Sequence, residues 1–162
     1  MLRDEFVETL NAIKEELIII TLDDGSKHIV WRWSVYCGDL LTVEYVEVHA
    51  ISTGNRMRVL YAHATNVTPY SLESMPHGMG RSKFMEKMNA ICARAVGEDH
   101  RTIITLTDGA IHIAPTHTVV YNGSERTTYG EVRLKARVWM MSAPYSMIKD
   151  VVPHRPVKLV EG

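Results

Sequence analysis

Ile19-Ile20-Thr21-Leu22-Asp23-Asp24-Gly25-Ser26-Lys27-His28-Ile29 is answered 84 residues later by Ile103-Ile104-Thr105-Leu106-Thr107-Asp108-Gly109-Ala110-Ile111-His112-Ile113. In each copy a β-branched run stops at Asp-Gly and resumes, the pattern of two strands joined by a tight antiparallel turn. Extended without gaps, the copies also agree at Val35/Val119, Tyr45/Tyr129, Glu47/Glu131 and Val48/Val132. Upstream, Phe6-Val7-Glu8-Thr9-Leu10-Asn11-Ala12-Ile13 matches Phe84-Met85-Glu86-Lys87-Met88-Asn89-Ala90-Ile91. A unit that recurs at a fixed offset is built twice. The sequence therefore predicts an internal duplication with a pseudo-twofold axis between the copies.

Working outward, Phe6, Leu10, Ile13 and Leu17 follow helical spacing and give residues 3–17 one buried face. The acids Asp4 and Glu5 suit the positive end of that helix. A return strand is expected over residues 27–36, a third over 40–51, a turn at Thr53-Gly54-Asn55 and a fourth strand over 56–65. The second copy opens with a helix over 82–96, striped by Phe84, Met88, Ile91 and Ala95. Strands over 101–107 and 110–121 follow, and then one long strand through Glu131–Met141. Pro144-Tyr145-Ser146 echoes Pro69-Tyr70-Ser71.

The fold class is thus α+β, a helix followed by an antiparallel meander, made twice. Such a unit closes as a small barrel or wraps a sheet around its helix, and pattern does not choose between them. The expected organisation is a first repeat over 1–66, a linker over 67–80, a second repeat over 81–150 and an irregular tail over 151–162. Half of a 162-residue chain buries too little surface to stand well alone, so the repeats are expected to share one core.

With 46% apolar and 23% charged residues, the composition is that of a globular chain rather than a disordered one. No apolar run approaches the roughly 18–20 residues that cross a bilayer, and Met1-Leu2-Arg3-Asp4-Glu5 lacks the regions of a signal peptide. A cytoplasmic protein with no membrane partner is expected. Cys37 and Cys92 fall at non-equivalent positions and read as incidental thiols.

The net charge of −1 conceals an asymmetry, because residues 1–80 hold 6 basic against 11 acidic side chains and residues 81–162 hold 12 against 8. Halves of opposite sign attract one another, within a chain or head to tail, which predicts a homo-oligomer.

Three constellations are candidate binding groups. His28 and His112 both stand three residues beyond an Asp-Gly turn, where symmetry would bring them to one axis. No further ligand lies at metal spacing, so they are expected to hydrogen-bond and no metal is expected. Arg133, Lys135 and Arg137 alternate with Leu134, Ala136 and Val138, which on one strand would aim three cations the same way, a face suited to phosphate oxygens. Trp31 and Trp33 flank Arg32 and would share a strand face, as core or as a stacking surface.

There is no phosphate loop, dinucleotide fingerprint or nucleophile elbow, and no cofactor is expected. His63-Ala64-Thr65 matches one half of the paired His-x-Thr motif of two-histidine phosphoesterases. A pI near 6.7 disfavours nucleic acid as a partner. The expectation is a non-enzymatic protein that holds an anionic, nucleotide-like small molecule or an acidic protein partner, as a sequestering or inhibitor protein of viral type would. The alternatives are a small phosphodiester hydrolase using His63 with a symmetry-supplied second histidine, and a structural subunit of a homo-oligomeric assembly.

Overall fold

The computed structural model describes residues 1–37, 45–50, 56–71, 77–94, 100–121, 123–134 and 137–154, the side chains of 131–140 excepted. Among these residues the chain is α+β, with two helices and antiparallel strands. Helix α1 (Arg3–Asn11) precedes β1 (Leu17–Leu22), β2 (Lys27–Trp31), β3 (Tyr45–His49), β4 (Arg56–Leu60) and β5 (Ala64–Tyr70). Helix α2 (Arg81–Arg94) precedes β6 (Arg101–Leu106), β7 (Ile111–Pro115), β8 (Arg126–Leu134), β9 (Arg137–Pro144) and β10 (Ile148–His154). Short 3-10 turns stand at Arg32–Ser34, Tyr61–His63, Thr116–Thr118 and Tyr145–Met147.

The largest sheet has the order β10-β6-β7-β2-β1-β5, while β3 pairs with β4 and β8 with β9. A bridge from Val30 to Ala50 continues β2 into the β3–β4 hairpin. In β1 and β6 alternate residues point inward, so Ile18, Ile20, Ile104 and Leu106 are buried. Gly25 and Gly109 take φ of 91° and 96° at the turns, a left-handed backbone that glycine adopts without a Cβ penalty. Asp24 Oδ1 accepts the Ser26 N–H at 2.8 Å, and Asp108 Oδ1 accepts the Ala110 N–H at 2.9 Å.

The strand registers repeat at the offset of 84. Ile20 lies opposite His28 and Val67, while Ile104 lies opposite His112 and Val151. At both margins of this sheet the pairing with the outer strand carries an irregularity, beside Leu22 opposite Ala64 and beside Leu106 opposite Ile148. The outer strands also end their hydrogen bonding alike. Val67 gives its N–H to the Asn66 side chain at 2.9 Å and Val151 gives its N–H to Asp150 at 2.8 Å, while Pro69 and Pro153, two residues on, have no N–H to give.

Each helix lays its aromatic anchor on the tyrosine of a 3-10 turn. Phe6 meets Tyr61 with ring centroids 5.3 Å apart, and Phe84 meets Tyr145 at 5.3 Å. Phe6, Leu10 and Ile13, and likewise Phe84, Met88 and Ile91, are buried in one continuous core. Burying each such side chain contributes about 1.5–3 kcal/mol.

Several sequence expectations are corrected. The echo between residues 69–71 and 144–146 is coincidental, because Tyr145 occupies the place of Tyr61 and Pro153 that of Pro69. Residues 67–70 complete β5 and do not open the linker, and residues 151–154 complete β10 and do not open the tail. The 3-10 turn at Tyr61–His63 divides the expected strand over 56–65.

The gapless match of Tyr45 with Tyr129 is also overturned. Tyr36 bridges Glu47 and Val48 faces Met57, whereas Val120 bridges Thr128 and Tyr129 faces Met141. Tyr129 therefore takes the inward place of Val48. The segment between bridge and hairpin is three residues shorter in the second half, as the separations from 36 to 47 and from 120 to 128 show.

Candidate binding site

His28 and His112 meet where β2 abuts β7, their rings stacked with centroids 4.8 Å apart and planes 27° from parallel. Among the described residues the one pair between these strands is Lys27 with Ile111, so each of two positions 84 apart faces the other. The histidines come together as expected, but at 0% and 1% exposure they face the interior rather than a ligand. Tyr129, itself 0% exposed, places its hydroxyl 2.5 Å from His112 Nδ1. This contact exists because of the three-residue shortening. In the first half the inward position belongs to Val48, which has no hydroxyl to offer.

A second polar tie joins the halves nearby. Tyr70 donates its hydroxyl to the Asp108 carbonyl, and a Cβ at Gly109 would stand 3.4 Å from the Tyr70 oxygen. Burial, and then the neighbouring Asp108 charge, push the Tyr70 phenol above its ordinary pKa of 10.0.

Trp31 and Trp33 do not share a strand face. Strand β2 stops at Trp31, and the chain winds into the 3-10 turn. Arg32 turns inward at this point, giving Nε to the Ile13 carbonyl at 2.8 Å and Nη2 to that of Leu10 at 3.3 Å. A cation on the last carbonyls of α1 favours both the orphaned acceptors and the helix dipole. Ser34 Oγ donates to the Trp31 carbonyl at 2.6 Å and accepts the His49 N–H at 3.0 Å, which fastens the far side of the turn to β3. Held at both ends, the turn presents Trp33 outward at 73% exposure, with its ring 6.3 Å from that of Trp31.

The exposed aromatic surface continues onto the hairpin. Tyr36, 61% exposed, lies opposite Glu47, and Glu47 lies opposite Arg58. His49 lies opposite Arg56 and Tyr45 opposite Leu60. Residues directly opposite in antiparallel strands share a face, so these side chains extend away from the buried Val46, Val48, Met57 and Val59. Arg58 is oriented by Glu47 at 3.1 Å and by the Tyr45 ring, 4.5 Å beneath its guanidinium. The sequence analysis missed Tyr36, Tyr45, Arg56 and Arg58. The parity of Tyr45-Val46-Glu47 against Arg56-Met57-Arg58, across Thr53-Gly54-Asn55, is the signal that could have found them.

The three expected cations do not form one strand face. The chain turns back between β8 and β9, with Leu134 opposite Arg137, so Arg133 and Arg137 belong to different strands. Lys135 lies outside the described residues.

His63 Nδ1 is 2.8 Å from Asp23 Oδ2 at the surface, and Thr65 Oγ1 is spent on the Thr21 carbonyl. The position 84 residues after His63 is Met147, whose sulfur takes the hydroxyl of Thr107 at 3.8 Å, so the symmetric place holds no second histidine. No group of three or more His, Cys, Asp or Glu is placed to hold a metal among the described residues. No helix among them is long and apolar enough to cross a membrane. No family model, no curated protein and no solved structure matches the chain.

Proposed function

We propose that this chain is a duplicated helix-plus-meander scaffold, two small barrel-like units about a pseudo-twofold axis between β2 and β7, and that it works by binding rather than catalysis. The registers repeated at an offset of 84 and the pairing of Lys27 with Ile111 support the duplication. The binding surface belongs to the first unit. Its ligand is a small molecule with a flat ring and a negative charge, a nucleotide-like anion. The ring stacks on Trp33 or Tyr36, and the charge meets Arg56 beside His49 on the adjoining strands.

The observation that carries this reading is the outward indole of Trp33, 73% exposed on a turn fastened at both ends. A large aromatic held rigidly in water forgoes burial, and a stacking partner recovers it. Native mass spectrometry of untagged protein drawn gently from its natural source tests the proposal. The expected spectrum carries extra mass of nucleotide size, which Trp33→Ala removes. A spectrum without retained mass, together with unquenched tryptophan fluorescence in millimolar mononucleotide, overturns it.

A further inference from the structure

One cross-strand row carries different chemistry in the two units. In the first, Tyr36 bridges Glu47, and Glu47 lies opposite Arg58. In the second, Val120 bridges Thr128, and Thr128 lies opposite Ser142. The backbone is the same, with the Tyr36 N–H on the Glu47 carbonyl at 2.9 Å and the Val120 N–H on that of Thr128 at 2.7 Å. The fold therefore builds this row without an aromatic ring, a carboxylate or a cation in it, and architecture does not explain why the first unit has all three.

Pairing between the charges explains little more. The side chains of Glu47 and Arg58 are 42% and 40% exposed, and an ion pair so wet adds little stability. Attraction for an anion explains Arg58 but not Glu47, which sets a negative charge in the middle of the face. A carboxylate beside an anion site repels the ligand's charge unless it takes hydrogen bonds from the ligand's neutral part.

Glu47 is placed to take them. Its Oε1 accepts from Arg58 Nε at 3.1 Å, and the Arg58 guanidinium lies over Tyr45, in the row on the side away from His49. Oε2 has no partner among the described residues. Tyr36 and Glu47 exchange both backbone bonds, at 2.9 and 3.0 Å, so their side chains rise next to one another on one face. A ring stacked on Tyr36 thus brings an edge to Glu47. Its charged substituent meets the following row, His49 opposite Arg56, about 7 Å along the strands.

An ionised carboxylate only accepts, so the ring edge that it selects must donate. Two adjacent N–H groups match its two oxygens. Guanine presents such a pair, a ring N–H beside an amino group. Hypoxanthine keeps the ring N–H alone, and adenine sets an acceptor nitrogen beside its amino group. Building on the binding reading above, we propose that Glu47 is the specificity residue of this surface and selects a ring with paired N–H donors, as in a guanine nucleotide.

Titration calorimetry of the full chain with guanosine, inosine and adenosine monophosphates tests this. The three share ribose and phosphate and differ at the ring edge alone. The expected order of affinity is guanosine, inosine, adenosine, with at least about tenfold between first and last. Glu47→Gln, at an exposed site outside the core, is expected to abolish the preference and to spare adenosine monophosphate, because a repelling charge is gone. A merely structural role for Glu47 would weaken all three alike and leave their ratio unmoved. Any other order in the unaltered chain, or a preference that survives Glu47→Gln, overturns the assignment while the binding reading stands. Binding of none of the three overturns both.

Discussion

Residues 31–36 and 115–120 occupy the same place in the two halves, each leaving its strand through a three-residue 3-10 turn. The first reads Trp-Arg-Trp-Ser-Val-Tyr and the second Pro-Thr-His-Thr-Val-Val. Both turns are anchored by the same backbone bond, Arg32 N–H to the Glu16 carbonyl at 2.8 Å and Thr116 N–H to that of His100 at 2.9 Å. The side chains then diverge. Arg32 reaches across to the end of α1, whereas Thr116 closes a short buried bond to Thr102 at 2.9 Å. Trp33 and Tyr36 stand in water where the second half has His117 and Val120. The two stretches agree in backbone bonding and differ in the residues that face water.

If the halves are equal contributors to one core, the largest effects should be matched. Phe6→Ala and Phe84→Ala are each expected to destabilise the whole chain by about 3–5 kcal/mol, since each empties a fully buried aromatic site. Denaturant unfolding should show a single transition in both variants. Two transitions, or one silent variant, would mean that the halves do not share their stability.

The buried tyrosine separates the halves next. Tyr129→Phe removes the hydroxyl from a buried hydrogen bond with His112, and a loss of about 1–3 kcal/mol is expected by the same assay. At the surface the contrast should appear in binding alone. Trp33→Ala is expected to weaken a ring-bearing anion by about 1–3 kcal/mol and to change stability by less than about 0.5 kcal/mol. His117→Ala should change neither quantity, as titration calorimetry and thermal melts of the two variants would show.

Smaller effects lie where the halves meet and at the sheet margin. Tyr70→Phe, which cuts the bond to the Asp108 carbonyl, should cost about 0.5–1.5 kcal/mol. Because the native phenol is raised, the contribution of Tyr70 is complete below its ordinary pKa of 10.0 and fades as pH climbs through the native value, so the variant should flatten the alkaline limb of the stability curve. Asp150 behaves in the opposite sense. The Lys87 hydrogen bond holds its carboxyl below the ordinary 3.8, so its contribution is complete above that value and is lost as pH falls through the lowered one. With both partners well exposed, Asp150→Asn should cost no more than about 1 kcal/mol, and only on the neutral side of that transition.

Much of this architecture is legible in the sequence. Two-residue alternation ending in Asp-Gly marks β1, β2, β6 and β7, and the helical stripes mark α1 and α2, because period and turn chemistry are local. The 3-10 turns that end the strands at Trp31, Leu60, Pro115 and Pro144 carry no comparable signal. Missing the first of them put Trp33 on a strand face shared with Trp31, as core or as a stacking surface, and not on a turn. Between Leu134 and Arg137, which pair across β8 and β9, the sequence holds no glycine, asparagine or proline to announce a reversal. The match of Tyr45 with Tyr129 was chance, and only the hydrogen-bonded register exposes the slip. Of the candidate site, the two histidines were legible as a pair from their matched places after Asp-Gly, while their burial depended on tertiary packing.

The side-chain bonds of Asn66 and Asp150 to the next residue's amide, each followed by a proline, bear on how the protein tolerates crowding. A sheet margin with amides pointing into solvent is a template on which another chain can lay a strand, and fibrils grow by repeating that step. Here the margin at β5 and the margin at β10 are disarmed at the same two positions. A concentrated solution of this protein should therefore resist strand-by-strand accretion, and replacing Pro69 and Pro153 together by threonine is the change that would restore the template.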